Sequence, residues 1–468
     1  MATSVIEQQP LYPQLPVGQE IIFVVSNDTA VANQKKVKFI AEVFVSSTLI
    51  SEYILMGTFK TTPNNAGVGI FDFRNIIENY VKPDNMAANG SEYKTTTTSD
   101  SVRHPIHLID KYSTNNNSMR YMQITFSVEY LGATDAAGNQ DANVVVTQVG
   151  TSKISDNFSI FNGYLKYDDI LQLGGDDFGY NLGTFNLSAN TNRFLTNAPL
   201  SHYANIEDYG TLAFLAPNDN LSYITLTYED SAGGALGSDT VNRTTANGAY
   251  TVYNASIKTN LMYFGCFPGN LQNWSSTFQG LVSPTDQISG GNIEVQAYDS
   301  GGNRISAQHV IYLNCPNTKG YESIRLTWLN QWGVWEYYTF TKKSIKTIST
   351  KGTTYNQLEG TWNESKYRVD SYKGGKKNFR VNATEKIKMN TGFVTEGETI
   401  IFEELINSPQ VYLLDGYQDD IVAAALNQYV TPVRVTSKTF TKKTIANDKL
   451  MQYTFEIEKS KTLRTQSV

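Results

Sequence analysis

Residues 321–340, YESIRLTWLNQWGVWEYYTF, decide the fold of this chain. Three of its five tryptophans fall here, Trp328, Trp332 and Trp335, and Tyr337, Tyr338 and Phe340 follow at once. Ile324, Leu326 and Trp328 alternate with Arg325 and Thr327, which is the period of a strand with one buried face. Asn330-Gln331-Trp332-Gly333 then reads as a turn, with Asn first and Gly last. On the return strand Val334, Tyr338 and Phe340 point one way, Trp335 and Tyr337 the other. A strand apolar on both faces needs cover on both. One cover is the domain's own core. The other is a second sheet, a neighbouring domain or another copy of the chain. Two readings stay open: an ordinary core strand, or an assembly surface anchored by Trp328, Trp332, Trp335, Tyr337, Tyr338 and Phe340, because Trp and Tyr are the residues that anchor interfaces.

Working outward, the same period-two pattern recurs. Residues 37–46, VKFIAEVFVS, alternate Val37, Phe39, Ala41, Val43 and Val45 against Lys38 and Glu42. Further strands are expected at 21–25, 55–61 and 119–130. Residues 72–81, DFRNIIENYV, predict a helix: Asp72 can cap it, and Phe73, Ile76, Ile77 and Tyr80 form a stripe at i, i+3, i+4 and i+7. Residues 156–173 read as a mixed, partly helical connection. A second block begins near Asn192, with strands expected at 223–228, 249–257, 293–298 and 310–313 and short apolar segments at 210–216 and 261–271. Near the C-terminus, 399–407, TIIFEELIN, predicts one short helix, and 431–441 with 450–459 a closing hairpin. The expected class is all-β with minor helix: tandem immunoglobulin- or fibronectin-like sandwiches, then a β-rich C-terminal domain. The spans are 1–155 for the first sandwich, 156–191 for a connection, 192–318 for the second sandwich and 319–468 for a C-terminal assembly domain.

Composition supports this class. The chain has 468 residues, enough for several domains. Charged residues make up 18% and aromatics 12%, where soluble domains average about 25% charged. Net charge is −6, which does not suit a nucleic-acid-gripping molecule. Residues 1–12 lack the basic start and apolar run of a signal peptide, and no stretch approaches a membrane span. The charge is uneven. Residues 321–390 hold thirteen Lys or Arg against six Asp or Glu, about +7, which leaves about −13 for the rest. Lys376-Lys377 lies within this basic stretch, among interleaved tyrosines. Three readings fit it: lysines that keep strand edges soluble, a nucleic-acid surface, or an assembly surface. The charge asymmetry favours assembly over nucleic acid, since basic and acidic parts attract each other between copies.

Signals for catalysis are weak. His104 and His107 cannot both face one side of a strand, and no acidic or thiol ligand adjoins them, so no metal site is expected there. Gly174-Gly175-Asp176-Asp177 and residues 135–141, DAAGNQD, lack the spaced oxygens of a dedicated Ca²⁺ loop. Glu403-Glu404 and Asp419-Asp420 are adjacent pairs, and helical neighbours such as the first pair point about 100° apart, unlike an acid–base dyad. There is no phosphate loop and no nucleophile elbow. Cys266 and Cys315 are expected to be free, buried thiols. No cofactor is expected.

Several segments together resemble tail-associated virion proteins of tailed bacteriophages, of the kind seen around Bacteroidetes and marine bacterial hosts. They are VKFIAEVFV with GVGIFDFRNIIENYV, RFLTNAP, the IRLTWLNQWGVWEYYTF hairpin, and the run FEELINSPQVYLL…PVRVTSKTFTKKTIANDKLMQYTFEIEKS. The resemblance implies a non-enzymatic structural component of a tail, baseplate or collar, made and assembled in the host bacterial cytoplasm and carried in the virion. Its implied partners are other copies of itself and other virion tail proteins, without membrane or nucleic acid. The competing expectation is a carbohydrate-binding adhesin that meets host surface glycan through exposed Trp and Tyr platforms. A glycan-degrading enzyme would need a carboxylate pair across a groove, which sequence alone neither shows nor excludes.

Overall fold

The computed structural model describes residues 4–47, 53–83, 106, 111–114, 117–134, 140–147, 153–166, 181–216, 220–243, 261–284, 286–314, 320–363, 365–414, 430–442 and 451–467. The fold is all-β, with about 50% strand and 11% helix. Among the described residues no helix is long and apolar enough to cross a membrane. The chain divides into two compact units. One comprises 1–314 together with 329–336, the other 315–328 together with 337–468. The span 1–155 and all of 192–318 but its last four residues therefore fall in the first unit. The aromatic hairpin is split, its tip counting with the first unit and its stem with the second.

The first unit begins with two sheets around a phenylalanine core. Val5–Gln8, Ile22–Ser26 and Val68–Asp72 form a three-stranded sheet. A seven-stranded sheet runs Gln14–Pro16, Phe158–Phe161, Met119–Thr134, Lys35–Ser46, Ile54–Thr61, with two further strands on Met119–Thr134. The alternation read at 37–46 is realised: Val37, Phe39, Ala41, Val43 and Val45 all point into the core. Phe23 meets Phe73, Phe126 and Phe158 at 5.6–5.7 Å between ring centroids, within the range for favourable aromatic pairs. Two expectations need correcting. The helix expected over 72–81 is one α turn, Arg74–Ile77, followed by a 3-10 turn, Glu78–Tyr80. Asp72 ends a strand, yet its carboxylate still accepts from the Arg74 and Ile21 amides. The partly helical reading of 156–173 fails over 156–166, where Phe158–Phe161 is a buried strand between two others; 167–173 lie outside the described residues.

The rest of the first unit carries a five-stranded sheet in the order Ser201–Ala204, His309–Leu313, Asn292–Tyr298, Tyr223–Glu229, Ala235–Asn242. Tyr223–Glu229 and Asn292–Tyr298 bury every second residue, as their period requires. Thr211–Leu215, Leu261–Gly265 and Tyr112–Thr114 make a three-stranded sheet. Tyr112–Thr114 thus comes from within the first expected span and completes a sheet of the second. The apolar segment 261–271 divides into the strand Leu261–Gly265 and the start of a short helix, Pro268–Trp274. Pro268 sits at the first helical turn, where its missing N–H costs nothing.

The second unit is built on an eight-stranded sheet in the order Trp335–Phe340, Ile324–Leu329, Val411–Leu414, Val430–Val435, Thr454–Lys459, Gly375–Asn390, Ile345–Gln357, with Arg464–Ser467 also on Gly375–Asn390. The helix Thr399–Asn407 has the bounds the sequence predicts. Its Phe402 lies 4.9–6.2 Å from the rings of Tyr338, Phe340, Tyr453 and Phe455. The expected closing hairpin pairs Val430–Val435 with Thr454–Lys459 antiparallel.

Candidate functional site

The aromatic hairpin forms the turn its sequence predicts. Asn330 Oδ1 accepts from the Trp332 and Val334 amides. Gly333 has φ +70°, and a Cβ there would lie 1.9 Å from the Asn162 carbonyl oxygen. The tip is fastened within the first unit: the Tyr164 amide donates to the Gln331 carbonyl at 2.7 Å and Asn330 Nδ2 to the Leu195 carbonyl at 3.0 Å. Trp332 packs on Phe185 at 4.4 Å. In the stem, Arg325 donates to Thr339 and lies 5.2 Å from the Tyr337 ring. Trp328, Trp332, Trp335, Tyr337, Tyr338 and Phe340 are all buried by their own chain. Of the two readings open in the sequence, this is the core strand. The burial of all six aromatics accords with a core strand and leaves them little surface in the single chain.

The tip also completes a polar network that sequence reading missed. Glu336 Oε1 meets His202 Nε2 at 2.5 Å, and His202 Nδ1 meets His309 Nε2 at 2.7 Å. Thr196 Oγ1 donates to Glu336 Oε2 at 2.8 Å. His202, His309 and Glu336 are 4%, 1% and 0% exposed. With Glu336 a carboxylate and both rings neutral, one tautomer pair makes both bonds: each ring carries its proton on Nε2. His309 Nδ1 is then a buried lone pair, and it has no hydrogen-bond partner. Burial, then His202 and Arg193, hold the His309 ring well below its usual pKa. Burial likewise lowers Arg193, opposed by Glu336. Enclosed in this way, the row can fix the tip through charge-assisted bonds, but it meets no solvent-filled space.

The exposed counterpart is a ribbon in the second unit. Ile345–Gln357 pairs antiparallel with Gly375–Asn390, and at about 3.3 Å per residue the shorter strand spans roughly 40 Å. The register shifts between Thr353 and Thr354, leaving Phe379 unpaired in a bulge. Thr454–Lys459 flanks only Lys386–Asn390, and Arg464–Ser467 only Arg380–Ala383. Beyond them the two strands have only each other. A small hairpin, Gly360–Asn363 with Lys366–Val369, lies at the end. Residues 345–356 are exposed without exception, so neither face is covered. Leu358, Trp362 and Tyr372 are 76%, 67% and 73% exposed. Lys376 and Lys377 stand opposite Asn356 and Tyr355. The ribbon thus unites two of the eight expected site residues with Tyr372, one of the tyrosines interleaved with them, and with Leu358 and Trp362, which the sequence reading passed over. The available signal was that 345–357, IKTISTKGTTYNQ, has no apolar face at all.

The remaining sequence candidates carry little. His104, His107, Gly174–Asp177, Asp419-Asp420 and Cys315 lie outside the described residues, as does most of 135–141. Cys266 is free and buried, and burial raises its thiol pKa far above the usual value. Glu403 is paired with Lys442. Among the described residues no cluster of three His, Cys, Asp or Glu could hold a metal.

Comparison with known proteins adds no identity. No family model matches the chain, and no curated protein matches it. Among solved structures, the native conformation of Escherichia coli alpha-2-macroglobulin is similar at 9% identity and a TM-score of 0.17, over 83% of this chain. This chain spans 22% of that protein's length. A likeness at that score carries no argument about fold or function.

Proposed function

We propose that this protein is a non-enzymatic structural component of a bacteriophage tail, baseplate or collar. It assembles in several copies in the host cytoplasm and is carried in the virion. The observation that carries this reading is the outer part of the ribbon, where residues 345–356 are all exposed, and its end with exposed Trp362, Tyr372 and Leu358. A two-stranded ribbon is at best marginally stable alone in water, and exposed apolar groups of this kind mark interaction sites. A part that stays uncovered in the single chain suits a protein whose working form has neighbours. The resemblance of the hairpin and C-terminal segments to tail proteins supplies the setting. The test is the mass of the purified protein in solution as concentration rises. A defined multi-copy species is expected, and a strict monomer at every concentration refutes the reading.

The exposed tip aromatics also favour a second reading, a glycan-binding adhesin. That reading predicts a monomer that binds host polysaccharide and loses binding on Trp362→Ala.

A further inference from the structure

The small hairpin at the end of the ribbon has two unlike faces. Gly360 stands opposite Val369, Thr361 opposite Arg368, Trp362 opposite Tyr367 and Asn363 opposite Lys366. Residues directly opposite share a face, and the faces alternate along each strand. Trp362, Tyr367 and Val369 therefore stand on one face, 67%, 48% and 69% exposed. Thr361, Lys366 and Arg368 stand on the other, exposed as well. Gly360 belongs to the aromatic face. The Tyr367 ring lies against the place its Cβ would take, and the Gly360 amide donates to the Tyr367 hydroxyl at 2.7 Å. Beside the hairpin, exposed Tyr372 has Lys373 5.3 Å from its ring, and Lys377 donates to its carbonyl. Charge within 358–373 is balanced, three of each sign. The basic excess lies just behind, where Lys351, Lys376, Lys377 and Arg380 make no ion pair among the described residues.

We propose that this hairpin docks on a lipid bilayer bearing anionic head groups, with Trp362, Tyr367 and Val369 turned into the interface. Such docking goes beyond the assembly reading and does not rest on it. The tail resemblance implies no membrane partner, and the hairpin adds one. Trp and Tyr settle at the head-group level because their rings are apolar while their N–H and O–H groups stay wet. A helix with one apolar aromatic face and one face of Lys and Arg lies in the plane of that interface. The hairpin repeats this division in β form. The long stems of Lys366 and Arg368 let their charges reach back to the head groups. The unpaired shaft cations add attraction to an anionic surface, roughly fivefold in affinity for each one close to it. The same register disfavours a single-stranded nucleic acid, which needs stacking rings and cations along one groove. Here they stand on opposite faces, and Val369 and Leu358 offer nothing to a base or a phosphate.

The test uses the full chain in three forms: wild type, Trp362→Ser/Val369→Ser, and Lys376→Glu/Lys377→Glu. The first variant spares Tyr367, which helps to hold the hairpin, and equal melting curves show that all three fold. Each is sedimented at about 0.1 M salt with vesicles of phosphatidylcholine, pure or carrying phosphatidylglycerol. Iodide quenching follows the contact, because Trp362 is exposed while Trp328, Trp332 and Trp335 are buried. Wild type should bind the anionic vesicles about tenfold more tightly than the neutral ones, and lipid should shield Trp362 from iodide. The Trp362/Val369 variant should bind both about tenfold more weakly, and the lysine variant should lose its preference for anionic lipid. A wild type that stays in the supernatant with both vesicles overturns the proposal. So does binding that either variant keeps unchanged. So does shielding of Trp362 that grows with protein concentration in the absence of lipid, since another copy then covers the hairpin. Retardation of single-stranded DNA that needs Trp362, without vesicle binding, overturns it as well. Particle mass in solution decides the assembly reading separately, so either can fail while the other stands.

Discussion

Removing the carboxylate of Glu336 should unfasten the hairpin tip from the first unit. The group has no exposed surface and accepts from His202 Nε2 at 2.5 Å and Thr196 Oγ1 at 2.8 Å, with Asn330 Nδ2 at 3.4 Å. Leaving a buried donor without its acceptor costs about 1–3 kcal/mol. Glu336→Ala takes away the acceptor of two close donors at once, so about 2–6 kcal/mol is expected. Glu336→Gln keeps an acceptor for His202. Its new NH₂ faces Thr196, whose hydroxyl can rotate to accept, so about 1–2 kcal/mol is expected, in line with one altered buried hydrogen bond. The double change His202→Leu/Glu336→Leu removes donor and acceptor together. It should cost less than the sum of its singles by about 1–3 kcal/mol, the coupling of directly interacting residues. Urea unfolding at neutral pH, read by tryptophan fluorescence, measures all of these, since Trp332 sits two residues from Asn330 in the same tip. If Glu336→Ala unfolds within about 0.5 kcal/mol of wild type, or the two single losses add to the double, the network does not hold the tip.

Other outcomes are equally open to measurement. The His309 pKa is depressed in the fold, so stability is complete above about pH 6.5 and is lost as pH falls below it, by about 1.4 kcal/mol per pH unit while the folded ring stays neutral. His309→Gln should flatten the pH dependence by one proton, and equal slopes would contradict the assignment. Gly333→Ala demands a left-handed φ, about 1–2 kcal/mol for a residue with a Cβ, and a shift away from Asn162, so a total loss above about 3 kcal/mol is expected; a loss under about 1 kcal/mol would show that the tip gives freely. Raising salt to about 1 M, where screening shortens to about 3 Å, should slow wild-type assembly yet leave formed assemblies intact, and dissolution of formed assemblies would mean that charge, not burial, holds them. Cys266 should react with a thiol reagent only as fast as the chain unfolds.

What could be read from the sequence was local. Thr399–Asn407 carries its helical stripe within nine residues, and Tyr223–Glu229 states its buried face by strict alternation. Asn330 and Gly333 encode their turn within four positions. The charged network could not be read in this way. His202 and Glu336 are 134 residues apart, and the histidines meet only because Ser201–Ala204 runs parallel beside His309–Leu313. The aromatic hairpin showed that two covers were needed, but not that its own chain supplies both. The ribbon stayed open for another reason. Its lysines, threonines and serines fit a solvated edge, an assembly surface or a nucleic-acid surface alike, and only the burial along 345–356 shows that the described residues cover neither face there.

The division of the hairpin has a consequence for synthesis. The first unit is not complete at residue 314, because its last eight residues are 329–336. A nascent chain that has made both histidines still lacks the carboxylate that accepts from His202. At about 5–20 residues per second, a ribosome passes from His202 to Glu336 in roughly 7–27 seconds. Throughout that interval the strand carrying His202 waits with its ring exposed or unpartnered. A fragment cut at the apparent boundary, 1–314, keeps that condition permanently. Such a fragment should be a poor stand-in for the unit, and one ending after the hairpin a far better one.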